Sequence, residues 1–255
     1  MTAMATSPFD ITGSRALVTG SSKGIGKALA RALVEAGADV ILNARTAQAL
    51  ERTREELADA GPGPVRIAAF DVTDEDQVRD GLARVGPIDI LVNNAGMQRR
   101  APLTDFATAD FDAVMTTNVR SVFLVTREAA RGMIERGRGK VIVIASVQSE
   151  LARPGIAPYS ASKGAVRMLV KGMCADLATA GICVNAIAPG YFATELTSAL
   201  VADEDFTSWV QARTPAGRWG RVEDLTGTLL WLASPASDFV NGQTIFVDGG
   251  MTAVL

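Results

Sequence analysis

Tyr159-Ser160-Ala161-Ser162-Lys163 sets a phenol and an ammonium four residues apart, the spacing at which two side chains share one face of a helix. A free tyrosine ionises near pH ~10, too high for proton exchange at neutrality. A lysine cation close by favours the phenolate and is expected to lower that value. A phenol tuned in this way can give a proton to a forming alkoxide and accept it in the reverse direction. The pair alone is common on helix surfaces, and its neighbours give it meaning. Ser146, thirteen residues earlier, ends a β-branched run and offers a hydroxyl to a substrate oxygen. Asn118, within a helical pattern, either joins a proton relay through water to Lys163 or is a satisfied buried amide. Histidine is absent from all 255 residues. Nucleophiles activated by histidine and histidine-ligated zinc are thereby excluded, and acid/base work falls to Tyr, Lys, Asp, Glu or Cys. Cys174 and Cys183 have no metal-ligand spacing, so two reduced thiols and no metal site are expected.

A second constellation lies near the amino terminus. Thr19-Gly20-Ser21-Ser22-Lys23-Gly24-Ile25-Gly26 follows an apolar run and leads into a helical pattern. Glycines there permit a tight turn and close backbone approach to a phosphate, which the N–H groups and partial positive charge of the helix start would bind. An Asp or Glu about twenty residues beyond such a loop commonly holds a ribose 2′-hydroxyl. The corresponding stretch here reads Asn43-Ala44-Arg45, with no acid. Arg45 and Lys23 would instead attract a 2′-phosphate, which favours NADP(H) over NAD(H), with NAD(H) left possible. Asp71-Val72 could bracket an adenine, and Asn94-Ala95-Gly96 offers small residues beside a ribose.

These residues need a scaffold that delivers them to one edge. Short apolar runs at 15–19, 39–43, 65–70, 88–93, 140–145, 183–188 and 244–248 alternate with helical patterns at 24–36, 46–60, 74–85, 109–136, 158–180 and 222–233. Strands that are apolar throughout are buried on both faces. The expected fold is therefore α/β, a single-domain Rossmann-type doubly wound parallel sheet of about seven strands with helices on both faces, spanning 1–255. Residues 191–220 break the rhythm with two tryptophans and are expected to form a lid over the ligand crevice. The net charge of −3 argues against nucleic acid or a polybasic membrane surface as partner. The start, MTAMATSPFDITG, lacks the basic and apolar regions of a signal peptide, and no run is long enough to span a bilayer. A cytoplasmic protein is expected.

TGSSKGIG, NNAG, the Asn118 segment, Ser146, YSASK and the Pro189-Gly190 turn occur in the order of the short-chain dehydrogenase/reductase family, which the whole chain resembles. The resemblance implies a catalytic tetrad of Asn118, Ser146, Tyr159 and Lys163, with Tyr159 and Lys163 also at the cofactor. It further implies that the loop from Pro189 and Gly190 through Phe192 to Thr194 holds the nicotinamide carboxamide. A seven-stranded sheet and a homotetramer, with the 109–136 and 158–180 helices at one dimer interface, are implied as well.

Within that family, residues 93–100 and 146–155, TPAGRWG (214–220) and DGGMTA (248–253) resemble the gluconate 5-dehydrogenase branch. That likeness implies a sugar acid as the small-molecule substrate, with D-gluconate and 5-keto-D-gluconate interconverted using NADP(H). Arg100, Gln148, Glu150 and Arg153 leave strand ends beside the expected nicotinamide and could contact a polyhydroxylated acid. An arginine among them could pair with its carboxylate in bidentate fashion. A 3-oxoacyl-thioester reductase, another keto-sugar reductase and an NADP(H)-sensing protein without turnover stay open. The polar 146–153 loop does not suggest the apolar groove that an acyl chain would want.

Overall fold

β-branched and leucine-rich runs become the seven strands: β1 (Arg15–Val18), β2 (Asp39–Ala44), β3 (Val65–Ala69), β4 (Ile90–Asn93), β5 (Gly139–Ile144), β6 (Ile182–Pro189) and β7 (Thr244–Val247). All pair in parallel, in the order β3-β2-β1-β4-β5-β6-β7. The computed structural model describes residues 7–255. The first six residues, part of the stretch read for a leader, lie outside that range. No helix among the described residues is long and apolar enough to cross a membrane.

Alternation along each strand sends side chains to opposite faces, and two cores result. On one face, α1 (Gly24–Glu35), α2 (Ala47–Leu57) and α9 (Thr226–Ala233) lay Leu29, Leu33, Leu50, Leu57, Leu229 and Leu232 onto Val18, Leu42, Ile90, Val92 and Ile142. On the other, α3 (Glu75–Val85), α5 (Ser121–Arg136) and α6 (Ala157–Leu177) pack Val78, Val125, Met133, Val166 and Val170 against Leu17, Leu91, Val141 and Val184. The strand order reverses between β1 and β4, so a crevice opens at their carboxyl ends, the usual ligand site of such sheets.

The helix expected over 109–136 is not continuous. It comprises α4 (Thr108–Met115) and α5, joined by a π-helical turn at Thr116–Arg120. The wider turn carries Asn118 inward, where it is 1% exposed, and Ser121 Oγ donates back to the Thr117 carbonyl within it. Such turns recur at functional sites. The helix expected from 222 begins with a 3₁₀ turn (Val222–Leu225) before α9. Residues 158–180 split similarly into α6 and a 3₁₀ turn at Ala178–Ala180, ended by left-handed Gly181. Between Tyr191 and Gly220 lie α7 (Ser198–Val201) and α8 (Glu204–Arg213), the latter capped by Asp203, whose carboxylate accepts from Phe206 N–H.

Leu91 lies in β4 beside the crevice and is fully buried. Leu91→Ala is expected to cost about 2–5 kcal/mol through lost burial and the cavity left behind. The lowered midpoint of urea unfolding measures it.

Candidate active site

The glycine loop is held from across the crevice. Thr19 Oγ1 donates to the Val92 carbonyl (3.3 Å) and accepts from the N–H groups of Asn94 (2.9 Å) and Ala95 (3.0 Å). Asn94 Nδ2 returns two bonds of 3.0 Å, to the Thr19 and Gly20 carbonyls. Gly20 has φ +61°, and a Cβ there would stand 2.9 Å from Ala95 Cα, so only glycine fits. A Cβ on Gly26 would collide with the Gly20 carbonyl and the Asn94 amide. Gly24 opens α1, whose N-cap Lys23 is exposed and gives no side-chain cap. Ser22 and Ile25 flank it half-buried, and the Ser22 carbonyl accepts from Thr53 Oγ1.

Asn43 does not offer its side chain to the crevice. It is fully buried, its Nδ2 donating to the carbonyls of Ala68 in β3 (2.9 Å) and of Phe70 just beyond it (3.2 Å), while Oδ1 has no partner. Its backbone N–H donates to Ser21 Oγ (2.9 Å), tying β2 to the loop. Arg45, two residues on, is exposed at the rim. Asp71 Oδ1 accepts from the N–H and Oγ1 of Thr73, and Val72 is buried beside it. A glycine cradle whose approach any Cβ would block, an uncapped helix start and cations at its rim fit a dinucleotide phosphate.

Tyr159 stands in the first turn of α6, after Pro158, which favours that position. Ser146 follows β5. Its hydroxyl accepts from Gln148 N–H (3.2 Å) and lies within hydrogen-bonding reach of the Tyr159 phenol. Lys163 is 6% exposed, and Nζ donates to the Ile144 carbonyl (2.7 Å) while lying 5.7 Å from the centre of the Tyr159 ring. Burial pushes the Tyr159 phenol above its ordinary value, and the Ser146 hydroxyl opposes that rise. The expected lowering by lysine does not emerge, because the enclosing protein dominates and penalises the phenolate. The same burial lowers the Lys163 ammonium to about 8.

Asn118 is satisfied within the protein. Oδ1 accepts from Met97 N–H (2.8 Å), and Nδ2 donates to the Met97 carbonyl (2.9 Å) and to Ser162 Oγ (3.0 Å). Ser162 Oγ in turn donates to the Tyr159 carbonyl (2.7 Å). Asn118 therefore ties the loop after β4 to the first turn of α6. Gly96 lies between Asn118 and Lys163: a Cβ on it would be 3.4 Å from Asn118 Oδ1 and 4.0 Å from Lys163 Nζ.

Gln148, bonded to Ser146, lines a cleft of about 160 Å³ together with Leu151, Ala152, Arg153, Tyr191, Trp209, Arg213 and Met251. Arg153 stacks over the Phe206 ring at 5.4 Å. Arg100, at the rim, reaches only Gln98 Oε1 (3.4 Å), and partial burial and the neighbouring Arg153 depress its guanidinium. Among the described residues neither guanidinium meets a carboxylate. Glu150 is brought elsewhere: it is exposed and ion-paired to Arg167 of α6. Pro189 ends β6, Gly190 packs against Asp248, Phe192 is bridged to Gly220, and Thr194 N–H donates to Thr197 Oγ1 (2.8 Å). Tyr191, Trp209, Arg213 and Met251 were not singled out from the sequence. Only the aromatic-rich character of 191–220 signalled the first two, and nothing local signalled Arg213 or Met251.

The chain matches the family model described as enoyl-(acyl carrier protein) reductase over residues 20–252. The gluconate 5-dehydrogenase of Gluconobacter oxydans is 56% identical over 251 residues, covering 97% of this chain and 98% of the relative. The 5-keto-D-gluconate 5-reductase of Escherichia coli strain K12 is 50% identical, covering 95% and 97%. Among solved structures, a gluconate 5-dehydrogenase from Burkholderia cenocepacia in complex with NADP and tartrate is 55% identical, with a TM-score of 0.92 and coverage of 97% and 98%.

Lys163 gives a test of the geometry itself. A fall from 10.5 to about 8, at about 1.4 kcal/mol per unit, disfavours the folded state at neutral pH by up to about 3 kcal/mol. Between those values the unfolded chain binds the proton and the folded protein does not, so stability rises with pH. Urea unfolding of wild type and Lys163→Met at pH 7 and pH 10 should show wild type gaining on the variant at the higher pH.

Proposed function

The chain belongs to the short-chain dehydrogenase/reductase family, and from that footing we propose that it interconverts D-gluconate and 5-keto-D-gluconate with NADP(H), Tyr159 serving as general acid/base. The observation that carries the substrate reading is the cleft beside Ser146 and Tyr159, flanked by the uncompensated guanidinium groups of Arg100 and Arg153. A carboxylate would neutralise them. Two relatives that share half or more of this sequence are named for that interconversion. The family model's description speaks of an acyl-carrier-protein substrate, but a cleft of about 160 Å³ lined by the guanidinium groups of Arg153 and Arg213 suits a long acyl chain poorly.

Gly20, Gly24 and Gly26 with the start of α1 would hold the dinucleotide phosphates, and Lys23 and Arg45 the 2′-phosphate. The relative solved with NADP supports that preference. A bound nicotinamide supplies or accepts the hydride. Ser146 holds the substrate oxygen, and Tyr159 gives it a proton in reduction or takes one in oxidation. The Lys163 cation, when charged, favours the phenolate that results and so eases transfer in both directions. Asn118 fixes the height of Tyr159 through Ser162. Residues 191–220 act as a lid, with Arg213 and Trp209 facing the cleft. On this reading the enzyme works in the cytoplasm as a homotetramer, and the exposed apolar side chains of Phe123, Ile134 and Met168 on α5 and α6 support assembly through that face.

Purified protein should oxidise NADPH with 5-keto-D-gluconate, followed by absorbance; turnover with an acetoacetyl thioester alone would overturn the sugar-acid reading. Tyr159→Phe should lower kcat by about 100- to 10,000-fold. Arg45→Ala should raise the KM for NADPH about tenfold or more while sparing that for NADH, since only the former has the charge to lose.

A further inference from the structure

Tyr191, the residue after the Pro189–Gly190 turn, has a fixed ring and an unpaired hydroxyl. Phe206, Trp209 and Trp219 meet it edge-on, with centroids at 5.6, 5.6 and 5.9 Å and interplanar angles of 74°, 89° and 86°. Its backbone carbonyl accepts from Gly220 N–H (2.8 Å). Buried tyrosines ordinarily find a hydrogen-bond partner for the phenol oxygen. Here Oη is buried with none, and Gln148 Oε1 in the same cleft is in the same condition. Gln148 is only 8% exposed, and its backbone is anchored to Ser146. One atom can only accept; the other can donate or accept. A water or a ligand hydroxyl answers both requirements, giving its proton to Gln148 and receiving one from Tyr191. Gln148 adjoins the reacting pair, its backbone N–H donating to the Ser146 hydroxyl, and Tyr191 lines the same cleft as Gln148.

We propose that Tyr191 and Gln148 together bind a hydroxyl on the carbon next to the reacting one, so that Tyr191 is a specificity-determining residue selecting α-hydroxy ketones. This deepens the sugar-acid reading and rests on it for the identity of the acid. The aromatic cage contributes by holding the phenol where no protein group can satisfy it, which keeps the oxygen available to substrate. Arg100 and Arg153 read the far, charged end of the same molecule; the Tyr191–Gln148 pair reads the end beside the carbonyl.

The test compares ketones with and without the neighbouring hydroxyl: 5-keto-D-gluconate against 5-oxohexanoate, and 3-hydroxy-2-butanone against 2-butanone. The full-length enzyme is assayed with NADPH, as wild type, Tyr191→Phe and Gln148→Leu. In wild type the hydroxylated member of each pair has the higher kcat/KM, and either substitution shrinks that ratio at least tenfold. The double variant falls below either single one, because the hydroxyl makes a separate bond to each residue. In calorimetric titration with NADP+ present, Tyr191→Phe weakens D-gluconate binding at least tenfold. The Tm of Tyr191→Phe stays within a few degrees of wild type, as expected when the deleted hydroxyl has no partner in the protein. Equal losses on both members of a pair would assign Tyr191 to lid packing and overturn the proposal. No loss on either, or no binding of hydroxylated ligands by wild type, would overturn it too. Selection within the neutral pair but no turnover of 5-keto-D-gluconate would keep the hydroxyl pair and remove the sugar acid.

Discussion

A single hydroxyl, Thr19 Oγ1, holds together the point at which the strand order reverses. Parallel strands β1 and β4 run side by side there, and their chains then leave in opposite directions, one into the glycine loop and the other toward Met97. Backbone groups that diverge lose their ladder partners, and an unpaired buried N–H is costly. Thr19 satisfies two of them and Asn94 fastens the loop from the other side. The tight approach of Gly20 to Ala95 follows from that clamp. So does the placement of the start of α1, since the helix begins only four residues beyond Gly20. The position of Met97, to which Asn118 is bonded, is set by the other branch.

The Tyr159–Lys163 pair is built on the opposite principle. Tyr159 and Lys163 lie in surroundings that disfavour the charged form of each. Their proximity is maintained by neutral neighbours: the Ile144 carbonyl, the Ser146 hydroxyl, and Ser149 Oγ, which donates to the Lys163 carbonyl (3.0 Å). A site that withholds water strengthens every charge that appears within it. Such surroundings suit a reaction in which charge is transient.

Much of this was legible along the chain because it depends on local chemistry. Each strand showed as a continuous apolar run because both sheet faces are covered. The glycine loop showed because its backbone excludes side chains. Tyr159, Lys163 and Ser146 showed because their spacing and strand-end placement are sequence properties. What escaped depends on neighbours remote in sequence. Asn43 stood in the stretch read for the cofactor, yet the carbonyls of Ala68 and Phe70 claim its amide. Glu150 looked available, yet Arg167 takes it. Met251 and Arg213 lie in stretches marked along the chain, yet nothing local aims either side chain at the cleft. The direction of the Tyr159 shift was misread because burial, a tertiary quantity, outweighs a lysine four residues away.

The π-helical turn at Thr116–Arg120 ties the site to the core by arithmetic. Each helical residue advances the side-chain direction by about 100°. Wound as an ordinary α-helix, the five residues of that turn would swing everything after them by about that angle; the wider π turn absorbs the extra residue instead. Val122, Val125, Ala129 and Met133, which face the sheet from α5, would then point along its flank, and Arg127, now at the surface with Glu75, would turn toward the apolar layer. The widened turn that delivers Asn118 to Met97 is thus also the phase correction that keeps the next four turns in register with the sheet.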